Sequence, residues 1–115
     1  KRARRVMRGK HLLLRADGVK RDVDDTILWE VIIDECVKLS NTTKVRDIVF
    51  HKFDGQGMTA FAVLGESHIS VHTYPENEGY YMDVFSCKDF ETQPILDFLQ
   101  SMWGKHEIVK VTVER

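Results

Sequence analysis

Two rhythms of apolar residues run through the chain, and their order predicts its architecture. Leu12, Leu13 and Leu14 make a short apolar run at 11–15 that ends at Ala16-Asp17-Gly18, a strand followed by a turn. Over 24–39 the rhythm changes to three- and four-residue spacing, with Leu28, Val31, Ile32, Cys36 and Leu39 on one stripe and Asp24 or Asp25 available as a cap. That pattern predicts an amphipathic helix, with Cys36 a small core residue on its buried side. Strands are expected next at 44–53, 58–64, 68–74 and 79–87, the first two joined by the turn Asp54-Gly55-Gln56-Gly57. A second helix is expected over 92–103, with Pro94 in its first turn, the stripe Ile95, Leu96, Phe98, Leu99 and Met102, and Gly104 as its stop. A strand at 108–113 closes the order β-α-β-β-β-β-α-β.

Short links between strands require antiparallel neighbours, because a parallel crossover needs about a dozen residues or more. The expected fold is therefore α+β: a two-layer sandwich of a mostly antiparallel sheet with two helices on one face. The strand at 58–64 carries Met58, Ala60, Ala62 and Leu64 on one face and Phe61 and Val63 on the other, so it reads as buried on both. Two helices can cover only one face. A second copy is expected on the other, giving an αββα homodimer.

The stretch from Leu64 to Glu76 concentrates the chemistry: Glu66-Ser67-His68, then Ser70, His72, Thr73, Tyr74, Pro75 and Glu76. His68 and His72 would share a helix face, but on a strand they stand roughly 13 Å apart at about 3.3 Å per residue. One ion cannot bridge that distance, and no metal is expected. Singly, His72 reads as a polar strand residue, Cys87 as packing at a strand end, Glu76 as a solvated turn residue and Phe53 as strand-end packing.

Jointly they read differently. Gly9-Lys10-His11-Leu12-Leu13-Leu14, His51-Lys52-Phe53, Gln56-Gly57-Met58-Thr59, the block from Glu66 to Glu76, and Asp83-Val84-Phe85-Ser86-Cys87 together resemble the short bacterial and archaeal type of S-adenosylmethionine decarboxylase. The resemblance covers most of the chain, and Glu-Ser-His followed by His-Thr-aromatic-Pro-Glu is its most specific part.

The resemblance implies a proenzyme that cleaves itself between Glu66 and Ser67, giving chains 1–66 and 67–115 of a single domain spanning 1–115. Ser67 would attack the preceding carbonyl, an N-to-O acyl shift would follow, and β-elimination would leave a covalent pyruvoyl cofactor derived from Ser67. Serine is a weak nucleophile at its free pKa, so a base is needed. By similarity His72 assists, supported by the Thr59 hydroxyl, which stands where serine is frequent in the family. His72 lies an odd number of residues from Ser67, so either the turn breaks the strand's alternation or His72 acts across the pocket. The pyruvoyl ketone would form a Schiff base with the substrate amine and serve as the electron sink. Cys87 would be the general acid, acting as a thiol.

For the substrate, S-adenosylmethionine, Phe53 matches an aromatic that stacks on adenine, Tyr74 stands where tryptophan is frequent, and Glu76 matches a carboxylate that holds the ribose hydroxyls. The product would be decarboxylated S-adenosylmethionine, used in spermidine synthesis, together with CO2. Asp54-Gly55 replaces a proline-containing turn common in the family. The alternatives are a pyruvoyl-dependent decarboxylase of ornithine or arginine, and an unprocessed regulatory relative.

Composition narrows the setting. At 115 residues and 43% hydrophobic, the chain can bury one core. Lys+Arg number 17 against 18 Asp+Glu, a net charge of -1, which gives no reason to expect nucleic acid or an anionic membrane as a partner. Positive charge gathers only in the first ten residues, expected to be a frayed, solvated arm. Two cysteines are too few for a disulfide framework, and no apolar run approaches the roughly 20 residues that span a bilayer, so a cytoplasmic, soluble protein is expected.

Overall fold

A computed structural model describes residues 9–114, so most of the basic N-terminal run lies outside the described residues. The elements are β1 (Lys10–Asp17), α1 (Thr26–Leu39), β2 (Val49–Lys52), β3 (Met58–Leu64), β4 (Ser67–Tyr74), a 3₁₀ turn (Pro75–Asn77), β5 (Gly79–Ser86), α2 (Gln93–Trp103) and β6 (Glu107–Glu114). Their order is the expected one. The six strands form one sheet, β2-β3-β4-β5-β1-β6, in which every pairing is antiparallel.

Alternation along each central strand divides the sheet into two unlike faces. Leu12, Leu14, Ala60, Ala62, Ile69, Val71, Met82 and Val84 point to the helix layer and are buried. There they meet Trp29, Ile32, Ile33 and Cys36 of α1 and Ile95, Leu99 and Trp103 of α2. Each buried Leu, Ile, Val or Met side chain among them contributes roughly 1.5–3 kcal/mol, and each alanine less. Trp29 and Tyr80 meet edge to face at 5.0 Å, and Trp29 Nε1 donates to the Val23 carbonyl at 2.7 Å, so that indole is packed and satisfied.

Two expectations are corrected. In α1 the buried stripe is Trp29, Ile32, Ile33, Cys36 and Val37, while Val31 is half exposed. An apolar-rich helix offers more than one stripe, and contact with α2 and the sheet selects among them. The segment 44–53 is a strand only at Val49–Lys52; further back, Lys44 makes an isolated bridge to Leu64, and Val45 N donates to the Val63 carbonyl at 3.2 Å. Within one chain the helices cover only one face of β3, and on its other face Phe61 is 39% and Val63 38% exposed. Together with Leu13, Tyr81, Val109, Val111 and Val113 these side chains make an apolar outer face on the helix-free side of the sheet.

Candidate active site

The β3–β4 hairpin turns through only Gly65 and Glu66, and Leu64 pairs with Ser67 across it. Glu66 has φ 63°, the left-handed region, which costs a side-chain-bearing residue about 1 kcal/mol or more. The strained residue therefore immediately precedes Ser67. The hairpin tip is anchored by Gly65 N, which donates to the Thr43 carbonyl at 3.0 Å. The loop after α1 that supplies this carbonyl is itself tied to the end of β5, where Ser86 Oγ donates to the Ser40 carbonyl at 3.0 Å and Asn41 Nδ2 to the Asp89 carbonyl at 2.8 Å.

Cys87 follows Ser86 and so reaches the hairpin tip. Its thiol donates to the Glu66 carbonyl at 2.8 Å, and its backbone N–H donates to Ser67 Oγ at 3.1 Å. A cavity of about 290 Å³ opens here, lined by Thr42, Thr43, Glu66, Ser67, Cys87 and Lys88 among others. The other cysteine is different in kind: Cys36 is fully buried, and desolvation pushes its thiol up to about 12. Among the described residues both cysteines are free.

A second cluster lies at the opposite end of β4. Thr59 and His72 face each other across the β3–β4 ladder, with Thr59 Oγ1 3.0 Å from His72 Nδ1. They share a cleft of about 200 Å³ with Phe53, Gln56, Gly57, Met58, Thr73, Tyr74 and Glu76. Phe53 is 51% exposed and meets His51 edge to face, and Tyr74 meets Tyr81 in the same way. All three residues expected to contact substrate therefore border one cleft, beside the Thr59–His72 pair.

The structure does not bring His72 to Ser67. Pairing of β4 with β3 is continuous from Ser67 to Thr73, so alternation is unbroken and the two side chains leave opposite faces. Five residues of strand separate them by roughly 16 Å at about 3.3 Å each. Of the two geometries open from sequence, the broken strand is excluded.

His68 and His72 do not converge either. His68 instead joins His11 and Asp83 on the outer face, both imidazole Nε2 atoms lying 3.0 Å from Asp83 Oδ1, while the Ser70 hydroxyl donates to Oδ2. Phe61 stacks on His68 at 5.6 Å, and Phe85 flanks both imidazoles. Burial pushes the Asp83 carboxyl up, but the Ser70 hydroxyl, the His11 hydrogen bond and the charges of both imidazoles outweigh it and hold the group below the usual carboxylate range. With these donors around it the carboxylate is satisfied by protein alone. Each of the three alternates with buried apolar neighbours on its own strand, which was the available signal, but it became meaningful only once the strand order was known.

A family model for S-adenosylmethionine decarboxylase matches residues 10–115. The chain belongs to the S-adenosylmethionine decarboxylase family. Relatives named S-adenosylmethionine decarboxylase proenzyme include one from a Synechococcus strain, 39% identical over 84 residues, covering 72% of this chain and 65% of the relative. Another, from Methanococcus maripaludis, is 41% identical over 85 residues, covering 73% of this chain and 69% of that one. The solved adenosylmethionine decarboxylase of Aquifex aeolicus superposes with a TM-score of 0.75 at 29% identity, over 93% of this chain and 89% of its own. The α+β fold of this chain is thus that of a solved decarboxylase. Among the described residues no helix is long and apolar enough to cross a membrane.

Proposed function

We propose that this protein is a self-processing, pyruvoyl-dependent decarboxylase that converts S-adenosylmethionine to decarboxylated S-adenosylmethionine and CO2, the aminopropyl donor of spermidine synthesis. The observation that carries the reading is the geometry at the Glu66–Ser67 bond. A left-handed Glu66 strains the residue whose carbonyl is attacked, and Cys87 supplies a donor to that carbonyl and another to the attacking hydroxyl.

In processing, Ser67 Oγ bonds to the Glu66 carbonyl carbon and the amide C–N bond breaks, its nitrogen taking a proton. The ester is then opened by β-elimination, releasing residues 1–66 as a carboxylate. Water replaces the Ser67 nitrogen, which leaves as ammonia, and chain 67–115 begins with a pyruvoyl group. These residues suit such a group: Ser67 sits at a hairpin tip open to a cavity, with a thiol beside it. A pyruvoyl carbonyl supplies an electron sink for loss of CO2 from an amino acid. Cys87 supplies the proton that replaces the carboxylate. Phe53 and Tyr74 offer ring faces to adenine and the sulfonium, and Glu76 two oxygens to the ribose hydroxyls.

A base must take the Ser67 hydroxyl proton, and His72 of the same chain stands too far away to do so. The proposal therefore includes a homodimer in which two outer faces pack together. The outer face of one copy, carrying Thr59 and His72, also reaches over the β3–β4 hairpin tip of the other, where Ser67 and Cys87 stand at the end of the sheet. The half-exposed apolar outer face supports this pairing, since a monomer seldom leaves such a patch in water. The proposal extends to a cytoplasmic location, in keeping with two free thiols.

Intact-mass measurement after incubation, together with CO2 release from carboxyl-labelled S-adenosylmethionine, tests the reading. Expected are chains 1–66 and 67–115, the second lighter than a serine-started chain by one ammonia, and label released from S-adenosylmethionine but not from ornithine or arginine. A single stable chain would refute it. Release from the basic amino acids alone would refute the substrate.

A further inference from the structure

The geometry points to Asp24 as a positioning residue that ties the two walls of the nucleoside cleft together from the helix side of the sheet. Only one of the adjacent acids 24 and 25 caps α1: Asp25 Oδ1 accepts from Leu28 N at 3.1 Å. Asp24 is turned elsewhere, and its two carboxylate oxygens are divided between two segments. Oδ2 accepts from Gly57 N at 2.9 Å, and Oδ1 accepts from Thr73 Oγ1 at 2.5 Å. Its own backbone is held in turn, with Asp24 N donating to Asp22 Oδ1 at 2.9 Å.

The two segments it joins carry different groups of the cleft. Gly57 closes the loop that presents Phe53: its carbonyl accepts from Phe53 N at 3.0 Å, and its φ of 100° is one that side-chain-bearing residues rarely adopt. Phe53 lies over this glycine, since a Cβ built there would come within 3.8 Å of Phe53 Cδ2. Thr73 is 4% exposed and stands between His72 and Tyr74, so its hydroxyl fixes the strand that presents both. One carboxylate thus sets the span between the Phe53 wall and the Tyr74 wall. The loop residues 53–56 are otherwise exposed, and a loop of this kind closes with little packing to hold it. Hydrogen bonds accepted by a carboxylate are among the stronger ones a protein makes.

The inference rests on the nucleoside reading of the cleft, but the tether itself can be measured without ligand. Asp24→Ala, Asp24→Asn and Asp25→Ala are compared with the parent protein for amide hydrogen exchange at Gly57, extent of self-cleavage, thermal midpoint, and KM and kcat for S-adenosylmethionine. Binding of 5′-methylthioadenosine, which has no amine to react, is measured alongside. Asp24→Ala is expected to speed Gly57 exchange and to raise KM and weaken the nucleoside about tenfold, with kcat and cleavage within about twofold. Asp24→Asn, which keeps one acceptor, falls between. Asp25→Ala, which uncaps the same helix, lowers the thermal midpoint but leaves KM and Gly57 exchange unchanged.

Unchanged Gly57 exchange in Asp24→Ala would overturn the tether. Faster exchange with unchanged KM and nucleoside affinity would overturn its role in binding, as would equal effects of the two alanine variants on KM. Loss of label release from the parent protein would instead refute the proposed activity, leaving nucleoside binding and Gly57 exchange to decide the tether.

Discussion

Cys87 holds Ser67 from one side of the hairpin tip: its amide donates to Ser67 Oγ at 3.1 Å while its thiol donates to the Glu66 carbonyl at 2.8 Å. One residue thus touches both the attacking atom and the oxygen on which charge would develop. Replacing it separates the two contacts, because only the thiol depends on the side chain. Cys87→Ala is expected to slow self-cleavage roughly tenfold, less than the loss of a strong oxyanion donor because a thiol donates weakly. Cys87→Ser, which keeps a hydroxyl, is expected to cleave within about threefold of the parent rate. A time course of chain separation under denaturing conditions reads both, and a Cys87→Ala rate equal to that of the parent would remove the thiol from the cleavage step.

A site divided between copies predicts complementation. Ser67→Ala and His72→Ala proteins made separately are each expected to stay uncleaved. When they are made together, mixed dimers contain one site with an intact Ser67 and an intact His72. The His72→Ala chain should then be cleaved in the mixture, which intact-mass analysis detects. Absence of rescue would mean that His72 does not act across an interface.

The outer apolar face gives a second handle on assembly. Val111 is 57% exposed beside Leu13 on the β1–β6 pair. Val111→Lys is expected to change the stability of the isolated fold by about 0.5 kcal/mol or less, as surface substitutions usually do. At a buried interface the same lysine has no water and no partner, so sedimentation should show dissociation, with loss of self-cleavage at matched concentration.

Asp83 makes the fold acid-sensitive in a defined direction. Its carboxyl lies below the usual carboxylate value of 3.8 in the folded protein, so folding favours the ionised form. The stability it contributes is present above that unfolded-state value and is lost as pH falls through the lower folded value. Urea unfolding of the parent and of Asp83→Asn is expected to differ at pH 7 and to converge as the pH is lowered below about 4. A difference that persists unchanged at low pH would show that the ionised carboxylate does not stabilise the cluster.

Much of the architecture follows from local periodicity. The order of elements, the span of β3, the cap at Asp25 and the stop at Gly104 are set by side-chain period, capping chemistry and backbone preference acting over a few residues. The same holds for the family signature, because Glu66-Ser67-His68 and the run from His72 to Glu76 lie within one hairpin and its turn. The buried stripe of α1 was not local in this sense: Val31 and Trp29 are both apolar, and only packing on α2 and the sheet selected Trp29. Nor was the end of the 44–53 alternation, where the chain bridges to β3 at Lys44 and pairs regularly only from Val49.

The sequence by itself determined which residues could perform the chemistry, because their types and spacing survive in any fold that keeps the hairpin. Tertiary structure alone decided which of them meet. Strand order brought Cys87 to Ser67 from twenty residues away, joined His11 and Asp83 to His68, and aimed Asp24 at Gly57 and Thr73 instead of at the helix. It also set Ser67 and His72 at opposite ends and on opposite faces of one unbroken strand. Period two fixes the face of a side chain, but only the pairing of whole strands fixes what stands opposite it.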